Sequence, residues 1–320
     1  MSEVITIGEP VPTFASTEPD ASLVDALEFH KILGGAELNV AIGVQRLGHS
    51  VEYISQVGDE PLGEYVIKTI KAHKVGTTYI SEDPDHWTGH QLKQLVTKGD
   101  PATFNYRKNS AASHLTKDVI EKVSLDGVKI AHMSGIFPAI SDTAEETFRT
   151  LLKRLVDQNI LITFDPNLRP SLWSSQEKMI ATINELAGSA DIVMPGVGEG
   201  EILMGSTDPE AIADFYLKGA RTQVVIVKVG PAGAYVKTKA GESFTVTGFK
   251  VDHVVDTVGA GDGFALGVIT ALLEDKPLKA AIRRGNAVGA LQVQTAGDND
   301  GYPTPTELAT FYEREGVSED

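Results

Sequence analysis

The sequence predicts an α/β protein in which helices cover both faces of a mostly parallel sheet. Short apolar runs alternate along the chain with longer segments of helical periodicity, which is typical of βαβ units. The chain has 320 residues, of which 42% are hydrophobic and 22% are charged. This length and this composition are typical of a globular protein that buries a full core.

The predicted strands and helices alternate from the first residues onward. Val4–Ile7 is the first strand, and Ala36–Leu47 is the first helix because Val40, Val44 and Leu47 recur at i, i+4 and i+7. The other predicted strands are Val51–Val57, Val128–Met133, Leu161–Asp165, Asp191–Met194 and Val224–Val229. The other predicted helices are Gly63–His73, Thr143–Gln158, Gln176–Ala187 and Gly263–Leu273.

Two segments, residues 11–33 and 87–108, break this alternation. The second reads as two strands joined by a turn at Lys98–Pro101. Because long loops without structure are uncommon in compact domains, both segments are predicted to form a small sheet that acts as a lid. Surface loops are the alternative. Since no linker-like stretch divides the chain, we expect one domain over residues 1–320.

Charge and composition exclude several classes of function. A net charge of -16 opposes binding to nucleic acid and to anionic membranes, so neither is an expected partner. The absence of cysteine excludes disulfides, thiolate metal sites and cysteine nucleophiles. No apolar run is long enough to span a bilayer, and the first residues lack the pattern of a signal peptide. We therefore expect a cytoplasmic protein.

The strongest signal for chemistry is the run Asp256–Phe264, Asp-Thr-Val-Gly-Ala-Gly-Asp-Gly-Phe, which precedes an apolar helix. Glycines let backbone N–H groups converge, and the helix adds the positive end of its dipole. The amides of Gly259, Ala260 and Gly261 are therefore predicted to hold a phosphate. Asp262 is predicted to accept a proton from an attacking hydroxyl. The alternative is a glycine turn with Asp262 as an N-cap.

Two signatures in this chain resemble those of the ribokinase-like (PfkB) sugar kinase family. Asp256–Phe264 is similar to the second signature, and Gly34–Ala41 followed by Leu47-Gly48 is similar to the first. The resemblance extends from residue 8 to about residue 303. It implies a three-layer α/β/α ribokinase-like fold with a small β-sheet lid, and an ATP-dependent transfer of a phosphoryl group to a sugar.

The first signature is expected to meet the sugar. Gly34 and Gly35 present bare backbone that sugar hydroxyls can approach closely. The Asn39 amide can donate and accept hydrogen bonds at once. The alternative is that Asn39 only interrupts the apolar face of a helix.

The resemblance also implies a nucleotide site for ATP. Lys228, Gly230 and Gly233 match a strand-end segment that lines the nucleotide in the family, although a tight hairpin turn is the alternative. Asn167 is a further candidate. Asn286 falls where the family places a residue near the adenine, with packing beneath a loop as the alternative.

Metal ions are likewise expected from the resemblance. Glu199 matches a glutamate that organises Mg²⁺, usually through water, although Gly196 replaces the asparagine that the family has three residues earlier. A monovalent cation is a further expectation near Asp256.

Within the family, three strings are most similar to 2-keto-3-deoxygluconate kinases, namely Asn105–Ser113, Phe164–Trp173 and Gly297–Pro303. They assign Tyr106, Arg107, Arg169 and Asp298 to the sugar site. Arginine forks suit the carboxylate of a sugar acid. Gln91 and Asn105 belong to the same site but stand where the subgroup has aromatic residues, so a related acid or keto sugar also fits.

Other functions stay open with less support. Fructose-type and ribose-type kinases share both signatures, and their neutral substrates need no arginine pair. A sugar sensor without turnover would have lost Asp262 or the glycine loop, and both are present. Gly-Lys is absent, which excludes a P-loop, and the first strand does not lead into a dinucleotide-binding glycine motif.

A homo-oligomer is expected through the lid, whose outer face would carry Leu92, Val96 and Phe104.

Overall fold

The computed structural model describes residues 2–97 and 101–319, so that the turn predicted at Lys98–Pro101 lies, except for Pro101, outside the described residues. The strands are β1 (Val4–Ile7), β2 (Val11–Ser16), β3 (Phe29–Gly34), β4 (Val51–Gly58), β5 (Ile80–Asp83), β6 (His90–Lys93), β7 (Thr103–Tyr106), β8 (Ile130–Ser134), β9 (Leu161–Asp165), β10 (Ile192–Val193), β11 (Val224–Lys228), β12 (Ala234–Thr238) and β13 (Ser243–Val246). The α-helices are α1 (Ala36–Arg46), α2 (Pro61–Ala72), α3 (Lys117–Glu121), α4 (Asp142–Asp157), α5 (Gln176–Ala187), α6 (Val197–Met204), α7 (Pro209–Tyr216), α8 (Ala260–Leu273), α9 (Leu278–Gln292) and α10 (Pro305–Glu315).

The main sheet has the strand order β13-β12-β11-β10-β9-β8-β1-β4-β5. Strands β11, β10, β9, β8, β1, β4 and β5 run parallel, and β12 and β13 add an antiparallel edge. The predicted mostly parallel sheet is confirmed. The sequence analysis did not anticipate the hairpin edge, because β12 and β13 lack a continuous apolar run.

Two apolar clusters lie on the two faces of this sheet. On one face α1, α2, α8, α9 and α10 pack against alternate strand residues such as Val4. On the other face α3 to α7 pack against Ile5 and Ile7. Successive side chains of one strand thus enter different clusters, as a sheet covered on both faces requires. The three-layer α/β/α fold is confirmed. None of the helices in the described ranges is long and apolar enough to cross a bilayer.

Helix α8 begins earlier than predicted. Gly259 is its N-cap with a φ of 77°, a left-handed conformation that favours glycine, so the helix starts at Ala260 rather than Gly263. Asp262 therefore lies inside the first turn. The alternative that Asp262 is an N-cap is wrong.

The two segments that break the alternation form a second sheet with the strand order β3-β2-β6-β7. Gln91 of β6 pairs with Thr13 of β2 and with Asn105 of β7, so these three side chains share one face. Leu92 and Phe104 are directly opposite each other on the other face. Val96 follows β6 rather than lying in it. The lid is thus a four-stranded sheet with an inner and an outer face.

Candidate active site

One cavity of about 430 Å³ lies between the lid and the carboxyl ends of the parallel strands. Ligands bind at this edge in open α/β sheets because the strand-to-helix loops meet there. Glu9 follows β1, Asp165 ends β9, Glu199 follows β10 and Lys228 ends β11, and all four line the cavity. Of these four, the sequence predicted only Glu199 and Lys228 as site residues. The other predicted residues that line the cavity are Gly35, Asn39, Gln91, Arg107, Asn167, Arg169, Gly259, Gly261, Asp262 and Asp298.

Asp262 is held at this cavity by two amide groups. Asn39 Nδ2 donates to Asp262 Oδ2 at 2.9 Å, and Asn167 Nδ2 donates to Asp262 Oδ1 at 3.3 Å. Burial raises the pKa of Asp262 to about 6, against the hydrogen bond from Asn39, which lowers it. Asn39 in turn accepts from Asn299 Nδ2 at 3.0 Å. Asn39 and Asn167 therefore orient the carboxylate that the sequence identified as a base.

Gly259, the N-cap of α8, must be a glycine for backbone reasons, whereas a Cβ on Gly261 would make only an ordinary contact. A Cβ on Gly259 would overlap the carbonyl oxygen of Asp298, and Tyr302 Oη donates to the Gly259 carbonyl at 2.8 Å. Gly259 and Gly261 line the cavity at the positive end of α8. The Ala260 amide instead donates to the Thr257 carbonyl at 3.3 Å, and Ala260 is not a lining residue. Its predicted place in the phosphate-binding group is therefore not supported.

Arg107 forms an ion pair that the sequence did not reveal. Its Nε and Nη2 donate to Glu9 Oε2 at 2.8 and 2.7 Å, and Ser110 Oγ donates to Glu9 Oε1 at 2.6 Å. Glu9 is only 2% exposed. The charge of Arg107 is thus already balanced from within the chain. Glu9 was detectable in the sequence as the polar residue that follows the first strand.

Arg169 differs from Arg107 in its partners. Its Nη1 donates to Asn167 Oδ1 at 2.8 Å and to the Leu168 carbonyl at 2.9 Å. Within residues 2–97 and 101–319 it forms no ion pair, and its side chain is exposed at the cavity. Arg169 is therefore the cavity arginine whose charge is available to an anionic ligand.

Asp298 lines the cavity, and Gly34, which is not a lining residue, lies directly beside the Asp298 carboxylate. A Cβ on Gly34 would overlap the Asp298 carboxylate, so a glycine is required there. Gly35 has a φ of 124°, and a Cβ on it would lie 2.7 Å from the Glu9 carbonyl oxygen. Burial raises the pKa of Asp298, and Lys93 acts against this rise. Gly34 thus makes room for the Asp298 side chain, and Gly35 makes room for the backbone at Glu9.

Lys228 and Glu199 belong to a charged cluster at the ends of β9, β10 and β11. Lys228 Nζ donates to Asp165 Oδ2 at 2.6 Å. Burial lowers the pKa of Lys228, but the negative charges of Asp165 and Glu199 raise it by more, so the pKa of this lysine lies above its ordinary value. Glu199 accepts from the amides of Gly196 and Leu168 at 2.7 and 2.9 Å, and burial raises its pKa. Lys228 remains a cation beside Gly261.

Glu37 is a cavity residue that the sequence analysis treated only as part of a signature. It is 1% exposed, and burial raises its pKa to about 7. Its Oε1 has no hydrogen-bond partner among the described residues. A Cβ on Gly8 would overlap the Glu37 carboxylate, so that glycine makes room for it. The cavity floor thus contains a second acid of raised pKa.

The structure places several predicted site residues away from the cavity. Tyr106 lies on the outer lid face, where its ring stacks on His90 with centroids 5.1 Å apart. This lid geometry does not bring Tyr106 to the cavity, and its contact with a sugar stays a prediction. Asn105 shares the inner face with Gln91 but is exposed outside the cavity lining.

The predicted nucleotide residues outside the lining are turn and packing residues in this structure. Asn286 Nδ2 donates to the carbonyls of Val246 and Thr247 at 3.1 and 3.2 Å, which favours the packing alternative. Gly230 and Gly233 adopt positive φ in the turn between β11 and β12. The tight hairpin turn that was the alternative for them is present.

Comparison with known proteins agrees with this geometry. The pfkB family carbohydrate kinase profile matches residues 1–305. The 2-dehydro-3-deoxygluconokinase of Bacillus subtilis (strain 168) is 44% identical over 310 residues, covering 97% of this chain and 95% of its own length. A PfkB protein from Polaromonas sp. JS666 has a TM-score of 0.89 at 40% identity, covering 97% of this chain and 99% of its own. An Escherichia coli structure described as ribokinase II, in complex with ATP and Mg²⁺, has a TM-score of 0.89 at 26% identity, covering 98% and 100%. The chain therefore belongs to the pfkB family of carbohydrate kinases.

Proposed function

We propose that this carbohydrate kinase transfers the γ-phosphoryl group of ATP to a hydroxyl of 2-keto-3-deoxygluconate or a closely related sugar acid. One observation carries the proposal. A single cavity holds Asp262 at the N-terminus of α8 together with Arg169, an arginine that forms no ion pair within the described residues. The name of the Bacillus subtilis relative supports the same substrate.

The residues fit an in-line phosphoryl transfer. The substrate hydroxyl oxygen attacks the γ-phosphorus, the bond from that phosphorus to the bridging oxygen breaks, and ADP leaves with the bonding electrons. The hydroxyl proton passes to Asp262, which Asn39 and Asn167 hold in place. The N-terminal amides of α8 and Lys228 stabilise the negative charge on the phosphoryl oxygens. Asp298 and the backbone at Gly34 receive the sugar hydroxyls.

Mg²⁺ fits this site only together with the nucleotide. Within the described residues no group of three or more acidic or histidine side chains could hold a metal ion. Mg²⁺ in phosphotransferases takes one or two carboxylates and completes its shell with phosphates and water. Glu199 would contribute through water, since both of its oxygens already accept backbone amides. Bound there, the ion would neutralise phosphate charge.

A coupled ADP-release assay over sugar acids, ketoses and nucleosides tests the proposal. The highest kcat/KM is expected for 2-keto-3-deoxygluconate or another sugar acid. A neutral sugar such as fructose as the best substrate would reject the acid assignment in favour of the fructokinase-type alternative. Tight sugar binding with no ADP release on any substrate would instead support the sensor alternative.

The raised pKa of Asp262 predicts an acid limit to turnover. The ionised carboxylate accepts the proton, so kcat/KM is expected to fall about tenfold per pH unit below a pH of about 6. Asn39→Ala removes a hydrogen bond that favours the ionised form, so the falling limb should move to higher pH. The measurement is kcat/KM against pH for both proteins. The assignment would be contradicted if kcat/KM of the parent stayed constant down to pH 5. It would also be contradicted if kcat/KM fell at the same pH in the parent and in Asn39→Ala.

The outer lid face predicts self-association. Phe104 is 58% exposed and contacts Tyr106, with ring centroids 5.0 Å apart, while Tyr106 stacks on His90. Burying such an aromatic patch against a second copy stabilises both sheets. We expect a dimer by light scattering at micromolar concentration, and a shift to monomer in Phe104→Lys. A monomeric mass of the parent protein would contradict the prediction that it dimerises through the lid.

A further inference from the structure

Lys93 connects the lid to the loop that precedes α8. Its Nζ donates to Asp256 Oδ2 at 2.9 Å, and the two side chains are only 13% and 22% exposed. The other oxygen, Asp256 Oδ1, accepts from the Val258 amide at 3.0 Å. One carboxylate therefore binds the last residue of β6 on one side and the backbone of the loop on the other.

Lys93 points to the cavity side of the lid. Gln91 and Lys93 are two residues apart on β6, so their side chains share the inner face, and Gln91 lines the cavity. The Lys93 charge also acts on Asp298, where it opposes the rise of the pKa caused by burial and by Asp256 and Asp300. The lid thus brings one ammonium group to the acidic residues around the loop.

The Asp256 carboxylate does not fit the monovalent cation expected beside it. Both of its oxygens have partners, and one of these partners is already a cation. The positive charge at Asp256 comes from the chain itself.

We propose that Lys93 is a positioning residue, which supplies the positive charge at Asp256 when the lid is closed and so holds the loop from Val258 to Gly261 ready for phosphoryl transfer. The proposal rests on the proposed kinase activity for its kinetic part. Lid closure and loop order are then one event, because the same ion pair is part of both. Monovalent metal ions are dispensable to the parent enzyme.

A second lid lysine provides a matched control. Lys31 of β3 lies with its Nζ 3.8 Å from the centroid of the Tyr65 ring on α2. Lys31→Met therefore removes another lysine contact between lid and core, a cation–π contact rather than an ion pair, without touching Asp256. If Lys93 acted only by tethering the lid, both methionine variants would behave alike.

Steady-state kinetics test the kinetic part of the proposal. They compare the parent with Lys93→Met, Lys93→Arg and Lys31→Met, each in choline chloride with and without added potassium chloride. We expect Lys93→Met to lower kcat by about tenfold or more, since a displaced site loses effective orientation. Lys93→Arg should retain most activity, and potassium should partly restore Lys93→Met while leaving the parent unchanged. The proposal would be overturned if Lys93→Met kept the kcat of the parent or if both methionine variants lost kcat equally. Several-fold activation of the parent by potassium would overturn it as well.

Hydrogen exchange of the ligand-free protein tests the structural part without turnover. The Val258 amide should exchange faster in Lys93→Met than in the parent, and at the parent rate in Lys31→Met. Unchanged exchange in Lys93→Met would refute the link between lid and loop. If the parent turned over no sugar acid, the substrate proposal alone would fail, and this readout would still decide whether Lys93 orders the loop.

Discussion

Asp262→Ala is expected to lower kcat by at least ~100-fold, the usual size of a lost general base. Asp262 lies in the first turn of α8 at the cavity, where Asn39 and Asn167 direct it. Without its carboxylate, the substrate hydroxyl has no proton acceptor. The measurement is kcat by coupled ADP release, with thermal unfolding and an ATP titration on the same protein to show that fold and nucleotide binding remain.

A nearby carboxylate serves as the control for this variant. Asp300 is exposed and does not line the cavity, so Asp300→Asn changes the local charge by the same amount and should keep kcat within about twofold. Wild-type kcat in Asp262→Ala would show that Asp262 is not the base. A comparable loss in Asp300→Asn would attribute the effect to general electrostatics instead.

Arg169→Met is expected to reduce kcat/KM for 2-keto-3-deoxygluconate by roughly 30-fold or more, which corresponds to at least ~2 kcal/mol. Arg169 forms no ion pair among the described residues, so its loss leaves a substrate carboxylate unpaired in the cavity. Its charge also lowers the pKa of Asp262, so both sugars are assayed well above pH 6, where Asp262 is ionised in parent and variant. Fructose carries no such charge, and its kcat/KM should change much less. Both sugars are assayed on parent and variant proteins.

Arg107→Met is the informative comparison. Because Arg107 already pairs with buried Glu9, its removal leaves Glu9 without its cation and is expected to destabilise the protein as well as the site. Its loss should therefore affect both sugars and lower the melting temperature. If Arg169→Met also lowered kcat/KM equally for both sugars, with fructose the better substrate of the parent, the acid-sugar assignment would be wrong while the kinase family would stand.

Local sequence patterns were sufficient for much of the site. Gly259 and Gly35 are identifiable because a positive φ favours glycine there, and Gly34 because a Cβ would overlap the Asp298 carboxylate. Lys228 and Glu199 were predicted from the resemblance, and the structure places Lys228 at the end of β11 and Glu199 in the first turn of α6, which follows β10. Such residues can be recognised from the sequence within a few positions on either side of them.

The lid shows where such patterns stop being sufficient. A one-residue change of register exchanges the two faces of a strand, so the side of the lid that Tyr106 occupies depends on the pairing of β6 with β7. The alternation predicted Leu92 and Phe104 on one face, and the pairing agrees. Tyr106, two residues after Phe104, shares that outer face and cannot also share the inner one with Gln91.

Local periodicity and glycine positions were enough to predict the α/β layers, the glycine loop before α8 and the candidate base, and two signatures carried the pfkB resemblance. Only the tertiary structure decided how the charges of the site are paired. Arg107 and Glu9 are 98 residues apart, Lys93 and Asp256 are 163 apart, and Asn39 and Asp262 are 223 apart. Which charged group meets which depends on strand order and lid register, and those are set by packing of the whole chain rather than by any neighbouring residues.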